Sequence, residues 1–401
     1  MSLGLYLHIP FCAHRCAYCD FNTYAGLESL IPAYGEALCR EISLVAEAWR
    51  ARPEPDPLQI DTVFFGGGTP SLLPVQLTGR ILESIDREFR LEPGAEITLE
   101  ANPGTVTRAG LSELRRAGIN RLSIGAQSAD PSILQLLERT HGFDEVEQAV
   151  RDARAVGFEN INLDLILGVM TQSMDSWRAS LDTALGLVPE HLSLYMLSVE
   201  EGTPLAARVN SGTLPMPDAD LAADMYEATC EVLDAAGYFH YEISNWTRRG
   251  NPTTPGICPP GWACRHNLHY WRNEAYLGLG AGAHGSMAGW RYANVLAPQA
   301  FIQRLALADP DRFPFSPATV SRHPVDRETE MRETLLMGLR LLDEGVPDSS
   351  FRARFGAGAQ DAFPEAIERA TAAGLLEAQP HALRLTRRGW LLSNQVFVEL
   401  V

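Results

Sequence analysis

The chain has 401 residues, 46% of them apolar, and carries a formal charge of −17 at pH 7. A chain this long exceeds one ordinary domain, and its apolar fraction is that of a soluble globular protein. The acidic balance opposes general nucleic-acid binding, no run approaches the ~20 apolar residues of a membrane span, and no basic, cleavable leader opens the chain.

The first strand-like run covers residues 4–8, and Cys12, Cys16 and Cys19 follow it at once. The C-x3-C-x2-C spacing places three thiolates on one short loop, where they can bind three irons of a [4Fe-4S] cube and leave the fourth iron open. No further cysteine follows until Cys39, which falls in a helical pattern. Zinc is the bland alternative, with His8 or His14 completing the three cysteines to four ligands. A disulfide fits poorly, because three is an odd number and nothing resembles a small secreted scaffold; few cysteines also fit a reducing cytoplasm.

Further strand-like runs fall at 61–65, 96–100, 121–125, 160–165 and 191–197, with helical patterns at 33–50, 76–89 and 144–156 between them. Strands about 25–40 residues apart with intervening helices predict an α/β fold with a parallel sheet of βα units. Chemistry in such barrels sits at the C-terminal strand ends. Gly66-Gly67-Gly68-Thr69-Pro70 follows the second strand, and glycines there let backbone approach a ligand and offer N–H groups to it. Polar residues mark the later strand ends: Glu100, Gln127, Asp164, and Arg139 on the adjoining loop.

After about Thr203 the pattern changes to a helix at 218–236, Gly/Pro-rich loops and short aromatic strands. The stretch His266-Asn267-Leu268-His269-Tyr270-Trp271 stands out for gathering two imidazoles and two aromatic rings within six residues. Its bland reading is a core strand with His266 bonded to a carbonyl. Cys258, in the Pro/Gly-rich loop 250–263, and Cys264 have no clear role. Three divisions are expected: 1–203, a barrel; 204–325, a capping and heme-binding region; and 326–401, small and winged-helix-like. The last reads as a packing or partner-docking module, because the net charge disfavours DNA.

Taken together, the cysteine loop within His8-Ile-Pro-Phe-Cys12, the GGGTP run and the HNxxYW string resemble the radical S-adenosylmethionine (SAM) superfamily. The branch they resemble holds oxygen-independent coproporphyrinogen III oxidase and the heme chaperones. The resemblance implies a partial (β/α)6 TIM-type barrel with an α+β extension. It also implies a [4Fe-4S] cluster on Cys12, Cys16 and Cys19 whose open iron takes the amino and carboxylate groups of SAM, and one-electron cleavage of SAM to a 5′-deoxyadenosyl radical. Gly67, Gly68 and Thr69 would meet the methionine amino group, Arg139 its carboxylate, and Asp164 or Glu100 the ribose hydroxyls. Gln127 would complete the site, with Tyr6 and Tyr18 packing on adenine or shielding the cube.

Two functions compete within that branch. The oxidase pattern is C-x3-C-x2-C-x-C with a longer N-terminal extension; here Phe21 stands at the last cysteine and the loop begins near the start of the chain. HNxxYW resembles the chaperone signature, which implies heme held by His266, with His269 second, beside Asn267, Tyr270 and Trp271. The expected function is therefore heme binding and delivery to respiratory client proteins. The alternative is SAM-dependent oxidative decarboxylation of coproporphyrinogen III. The resemblance also implies an electron donor, a cytoplasmic site that leaves room for peripheral docking at the inner membrane, and a cluster edge able to support a homodimer. No nucleic-acid partner is expected.

Overall fold

In the computed structural model every residue is described except 1, 54, 250–260, 307, 308, 380 and 401. The chain forms two compact units, residues 1–229 with 275–323 and residues 230–274 with 324–401.

Six parallel strands build the first unit: β1 (Ser2–Ile9), β2 (Gln59–Gly67), β3 (Arg90–Ala101), β4 (Arg121–Gln127), β5 (Ile161–Leu167) and β6 (His191–Met196), each paired with the next in sequence. Five of the crossover helices are α1 (Ile31–Arg50), α2 (Val75–Glu88), α3 (Arg108–Ala117), α4 (Phe143–Ala155) and α5 (Met174–Gly186). These are the βα units that the spacing predicts, and their helix ends follow sequence signals. Thr107 and Ser173 cap α3 and α5 by accepting backbone N–H groups, and Gly118 takes the left-handed turn after α3. Strand alternation separates two faces. On β1, Leu3, Leu5, Leu7 and Ile9 are buried in the apolar layer, while Gly4, Tyr6 and His8 share the other face.

The sheet continues on the far side of β1. Strand Tyr276–Leu279 pairs with β1 in parallel and is followed by the antiparallel strands His284–Met287 and Trp290–Asn294. Glu41 of α1 fastens this return. Its carboxylate accepts the Gly280 N–H (2.7 Å), the Asn294 amide (2.7 Å) and the Ser316 hydroxyl (2.6 Å). Burial pushes that carboxyl up to about 7 against the pull of these donors.

In the second unit, strands Tyr238–Glu242 and Asn245–Arg248 form an antiparallel hairpin. Residues His266 to Trp271 lie on helix Arg265–Trp271, not on a strand. The C-terminal part packs helices around a three-stranded antiparallel sheet of Val346–Pro347, Ala382–Leu385 and Leu376–Ala378, over an apolar core that includes Leu335, Phe351 and Phe397. Among the described residues no helix is long and apolar enough to cross a membrane.

Candidate functional site

A cavity of about 410 Å³ opens at the C-terminal ends of the parallel strands. Cys12, Cys16, Cys19, Tyr18, Gly67, Gly68, Thr69, Glu100, Gln127, Arg139 and Asp164 all line it. The site residues thus converge from six separate stretches of sequence. Tyr6 lies outside that lining. It stacks on Phe64 (6.3 Å between ring centres), and its hydroxyl meets Nδ1 of His8 at 3.0 Å.

The cysteine loop is held at both ends. Phe11–Cys12 pairs in parallel with Tyr24–Ala25. His8 Nε2 donates to the Asn22 carbonyl (2.9 Å), which leaves Nδ1 to accept from Tyr6. Asn22 in turn donates to the carbonyls of Ala281 (3.1 Å) and Leu296 (3.0 Å). At the loop's middle the Ala17 N–H reaches the Leu137 carbonyl, and the Leu205 N–H reaches Ala17. Glu138 binds Arg208 and lies 3.8 Å from His14. His8 is therefore engaged on both ring nitrogens. Among the described residues no three His, Cys, Asp or Glu are grouped closely enough to hold a single metal ion.

The three-glycine run earns its composition by close approach. The Gly68 N–H donates to the Ile9 carbonyl and the Thr69 N–H to the Phe11 carbonyl, both at 2.8 Å. A Cβ on Gly68 would lie 2.6 Å from the Phe11 oxygen and 3.1 Å from Cys12 Sγ. Gly67 has φ +114°, and its N–H donates to Glu100 Oε2 at 3.0 Å. Thr69 donates its hydroxyl to Cys12 Sγ at 3.6 Å.

Arg139 lines the same cavity. It donates to Cys16 Sγ (3.3 Å) and to the Gly125 carbonyl (3.1 Å), while its buried Nε has no partner. Burial works against its charge, but Tyr18 and Cys16 beside it raise its pKa above the ordinary arginine value. Gln127, at the end of β4, takes a left-handed backbone (φ +64°), a strained conformation of the kind that clusters at ligand sites.

Glu100 and Asp164 face the cavity with different surroundings. Burial first, and the neighbouring Asp164 second, push Glu100 up to about 8. Burial also raises Asp164, but hydrogen bonds from Asn162 (2.9 Å) and Ser123 (3.1 Å) oppose the shift. Burial likewise raises the thiols of Cys12 and Cys19, opposed at Cys12 by the Thr69 hydroxyl and at Cys19 by the Phe21 N–H. This donor set fits a thiolate-held cluster with an amino-acid ligand: three sulfurs on one wall, a cradle that side chains would fill, and a buried guanidinium with a spare N–H.

The HNxxYW residues lie in the second unit. His266 is buried, its Nε2 meeting the Tyr270 hydroxyl at 2.9 Å with the two rings edge-on. His269, also buried, pairs with Glu274 at 2.6 Å. Trp271 receives the Arg340 guanidinium over its ring at 4.5 Å, and Asn267 sits on the same short helix. Cys264 is buried at the start of that helix; Cys258 lies outside the described residues.

The sequence reading missed the polar layer that forms and backs the cavity floor. Ser123, Asn162, His191 and Ser193 are buried there and hydrogen-bonded together. Polar residues at alternate positions of β4, β5 and β6 were the available signal.

Residues 6–184 match the model of the radical SAM superfamily, and residues 325–392 that of the HemN C-terminal domain. The chain is 35% identical to the heme chaperone HemW of Bacillus subtilis over 98% of its own length and 97% of the relative's. It is 38% identical to HemW of Mycobacterium tuberculosis, covering 98% and 93% of the two chains, and 34% identical to that of Escherichia coli, covering 98% and 97%. Among solved structures, coproporphyrinogen III oxidase (HemN) from Escherichia coli, a radical SAM enzyme, superposes with a TM-score of 0.80 at 22% identity, over 100% of this chain and 90% of that one. At that identity the likeness speaks for the fold.

Proposed function

The chain belongs to the radical SAM superfamily, in its HemW/HemN-like family, and from that premise we propose that it is a cytoplasmic heme chaperone. On this reading it binds heme together with a [4Fe-4S] cluster and SAM and passes the heme to client proteins, respiratory ones in the first instance. Cys12, Cys16 and Cys19 hold the cluster. The Gly67–Thr69 backbone and Arg139 receive the amino and carboxylate ends of SAM, with Glu100, Gln127, Asp164 and Tyr18 around the rest. When bound and reduced, the cluster supplies one electron to the sulfonium. The chain's own residues orient that ligand and wall it from water. An electron donor and docking at the inner-membrane surface belong to the same proposal.

One observation favours chaperone over oxidase. Phe21, 63% exposed and lining the cavity, occupies the place where the oxidase pattern has a further cysteine. The relatives spanning nearly the whole chain carry the chaperone name, which agrees with it. His266 is the proposed heme ligand, its Nε2 exchanging the Tyr270 hydroxyl for iron, with Asn267, Tyr270 and Trp271 beside the macrocycle. The test is anaerobic titration of the reconstituted chain with heme and with coproporphyrinogen III side by side. Stoichiometric heme binding that His266→Ala weakens supports the proposal. Efficient conversion of coproporphyrinogen III to protoporphyrinogen IX would overturn it in favour of the oxidase.

A further inference from the structure

We infer that Asn162 is a positioning residue, whose side-chain amide fixes the carboxylate of Asp164 for the ribose hydroxyls of the bound nucleoside. The inference rests on the reading of the cavity as a SAM site and goes beyond it in choosing Asp164 over Glu100 and in naming what aims it.

The register makes the arrangement. Glu100, Ser123, Asn162 and His191 are paired across β3, β4, β5 and β6, so their side chains leave the sheet on one face as a single row. Gly125, Asp164 and Ser193 form the next row toward the strand ends on that same face. Asn162, 1% exposed, therefore sits directly behind Asp164 with no route to solvent.

Its amide is used at both ends. The oxygen accepts from His191 Nδ1 (2.7 Å) and from the Ser193 hydroxyl (3.1 Å). The nitrogen donates to Asp164 Oδ1 (2.9 Å) and to Ser123 Oγ (2.7 Å). Ser123, so held, passes its own hydroxyl proton toward Asp164 Oδ2 at 3.1 Å. Each carboxylate oxygen thus receives a donor from the floor, and the lone pairs left over face the cavity that Asp164 lines.

Neither a charged, a shorter nor an apolar side chain supplies this combination in its place. Aspartate cannot donate when ionised, and serine is too short for four partners. A leucine would fill the volume and leave the His191 and Ser193 donors and the Asp164 oxygens without their partner. Glu100 is held differently: its Oε2 is committed to the Gly67 N–H at the amino-acid end of the cavity.

Full-length chain, reconstituted anaerobically, should be dialysed against SAM and against its 2′-deoxy and 3′-deoxy analogues. Asn162→Leu should weaken SAM binding about tenfold or more, the equivalent of one lost buried hydrogen bond to a charged group, while affinity for at least one deoxy analogue changes less than about threefold. Ser193→Ala, which removes one support without changing volume, should show the same selective loss at smaller size, and it keeps the test open if the leucine variant fails to fold. Equal losses for SAM and both analogues, or no loss in a folded variant, would overturn the inference. Wild-type chain that binds no SAM overturns the reading of the cavity itself and the inference with it.

Discussion

Replacing Gly68 with alanine tests whether the cysteine strand and the glycine run are locked together. The new Cβ would sit 2.6 Å from the Phe11 carbonyl oxygen and 2.9 Å from that of Ile9. Ordinary contact begins at 3.4 Å, so relief requires a separation of about 0.8 Å between two backbone segments that have no flexible end to swing away. Such a shift would stretch the two 2.8 Å bonds, Gly68 to Ile9 and Thr69 to Phe11, past the range of a hydrogen bond. Overpacking of this kind costs about 1–3 kcal/mol, and each weakened bond adds about 1 kcal/mol. The melting temperature of the cluster-free chain should therefore fall by about 5–15 °C. Iron uptake on anaerobic reconstitution should fall as well, because Cys12 moves with Phe11. Gly79→Ala is the matched control: it lies inside α2, and its Cβ would meet only Ala117 Cβ at 3.9 Å. It should stabilise the chain by about 0.5–1 kcal/mol. A Gly68→Ala chain that melts with wild type and takes up full iron would refute the close-approach argument.

Two further perturbations follow from the same wall. Glu41 has a folded carboxyl pKa of about 7 against an ordinary 4.5, so the folded state binds this proton more tightly than the unfolded one. Stability from this group is greatest below 4.5 and declines as the pH rises toward 7. Glu41→Gln should flatten that decline in urea unfolding at pH 5 and pH 7.5, leaving the share due to Glu100, whose carboxyl lies at about 8. An unchanged slope would show that Glu41 does not titrate in that window. Asn22→Ala removes the donors to Ala281 and Leu296, and should cost about 1–2 kcal/mol. Its cluster absorbance should bleach faster than wild type in air. Equal bleaching rates would mean that the loop is held by its other anchors alone.

The parallel strands were legible because each is a short apolar run bounded by turns, and the helices because their apolar stripes recur at helical spacing. Spacing singled out Cys12, Cys16 and Cys19, and a place after a strand singled out Gly67 and Gly68; all five line one cavity. The expected helix at 218–236 is found at Ala219–Ala235. Other features had no local signature. Strand Tyr276–Leu279 joins β1 from some 270 residues away, a pairing that only the finished sheet specifies. Asn162 and His191 read as isolated polar residues until register sets them side by side. His266 and Tyr270 stand four apart, which puts them on one face of a helix, but seven residues are too few for periodicity to reveal one.

The wall that positions the cysteine loop is assembled from both early and late sequence. Tyr34 of α1 donates to the His8 carbonyl at 2.7 Å and accepts the Ala281 N–H at 2.8 Å. Gly280 lies so close that a Cβ there would meet the His8 oxygen at 2.5 Å and the Tyr34 hydroxyl at 2.8 Å. Its own N–H is taken by Glu41, and Asn22 reaches the next carbonyl along. Pull residues 280–296 away and Asn22 and Tyr34, which bond the His8 ring and carbonyl, lose partners together, although none of the three cysteines has been touched. The position of the cysteine loop therefore depends on the Gly280–Ala283 backbone as well as on the loop's own bonds. That explains why glycines recur at 278, 280 and 282: the backbone itself is the contact surface, and the side chains that line the cavity are aimed by what packs behind them.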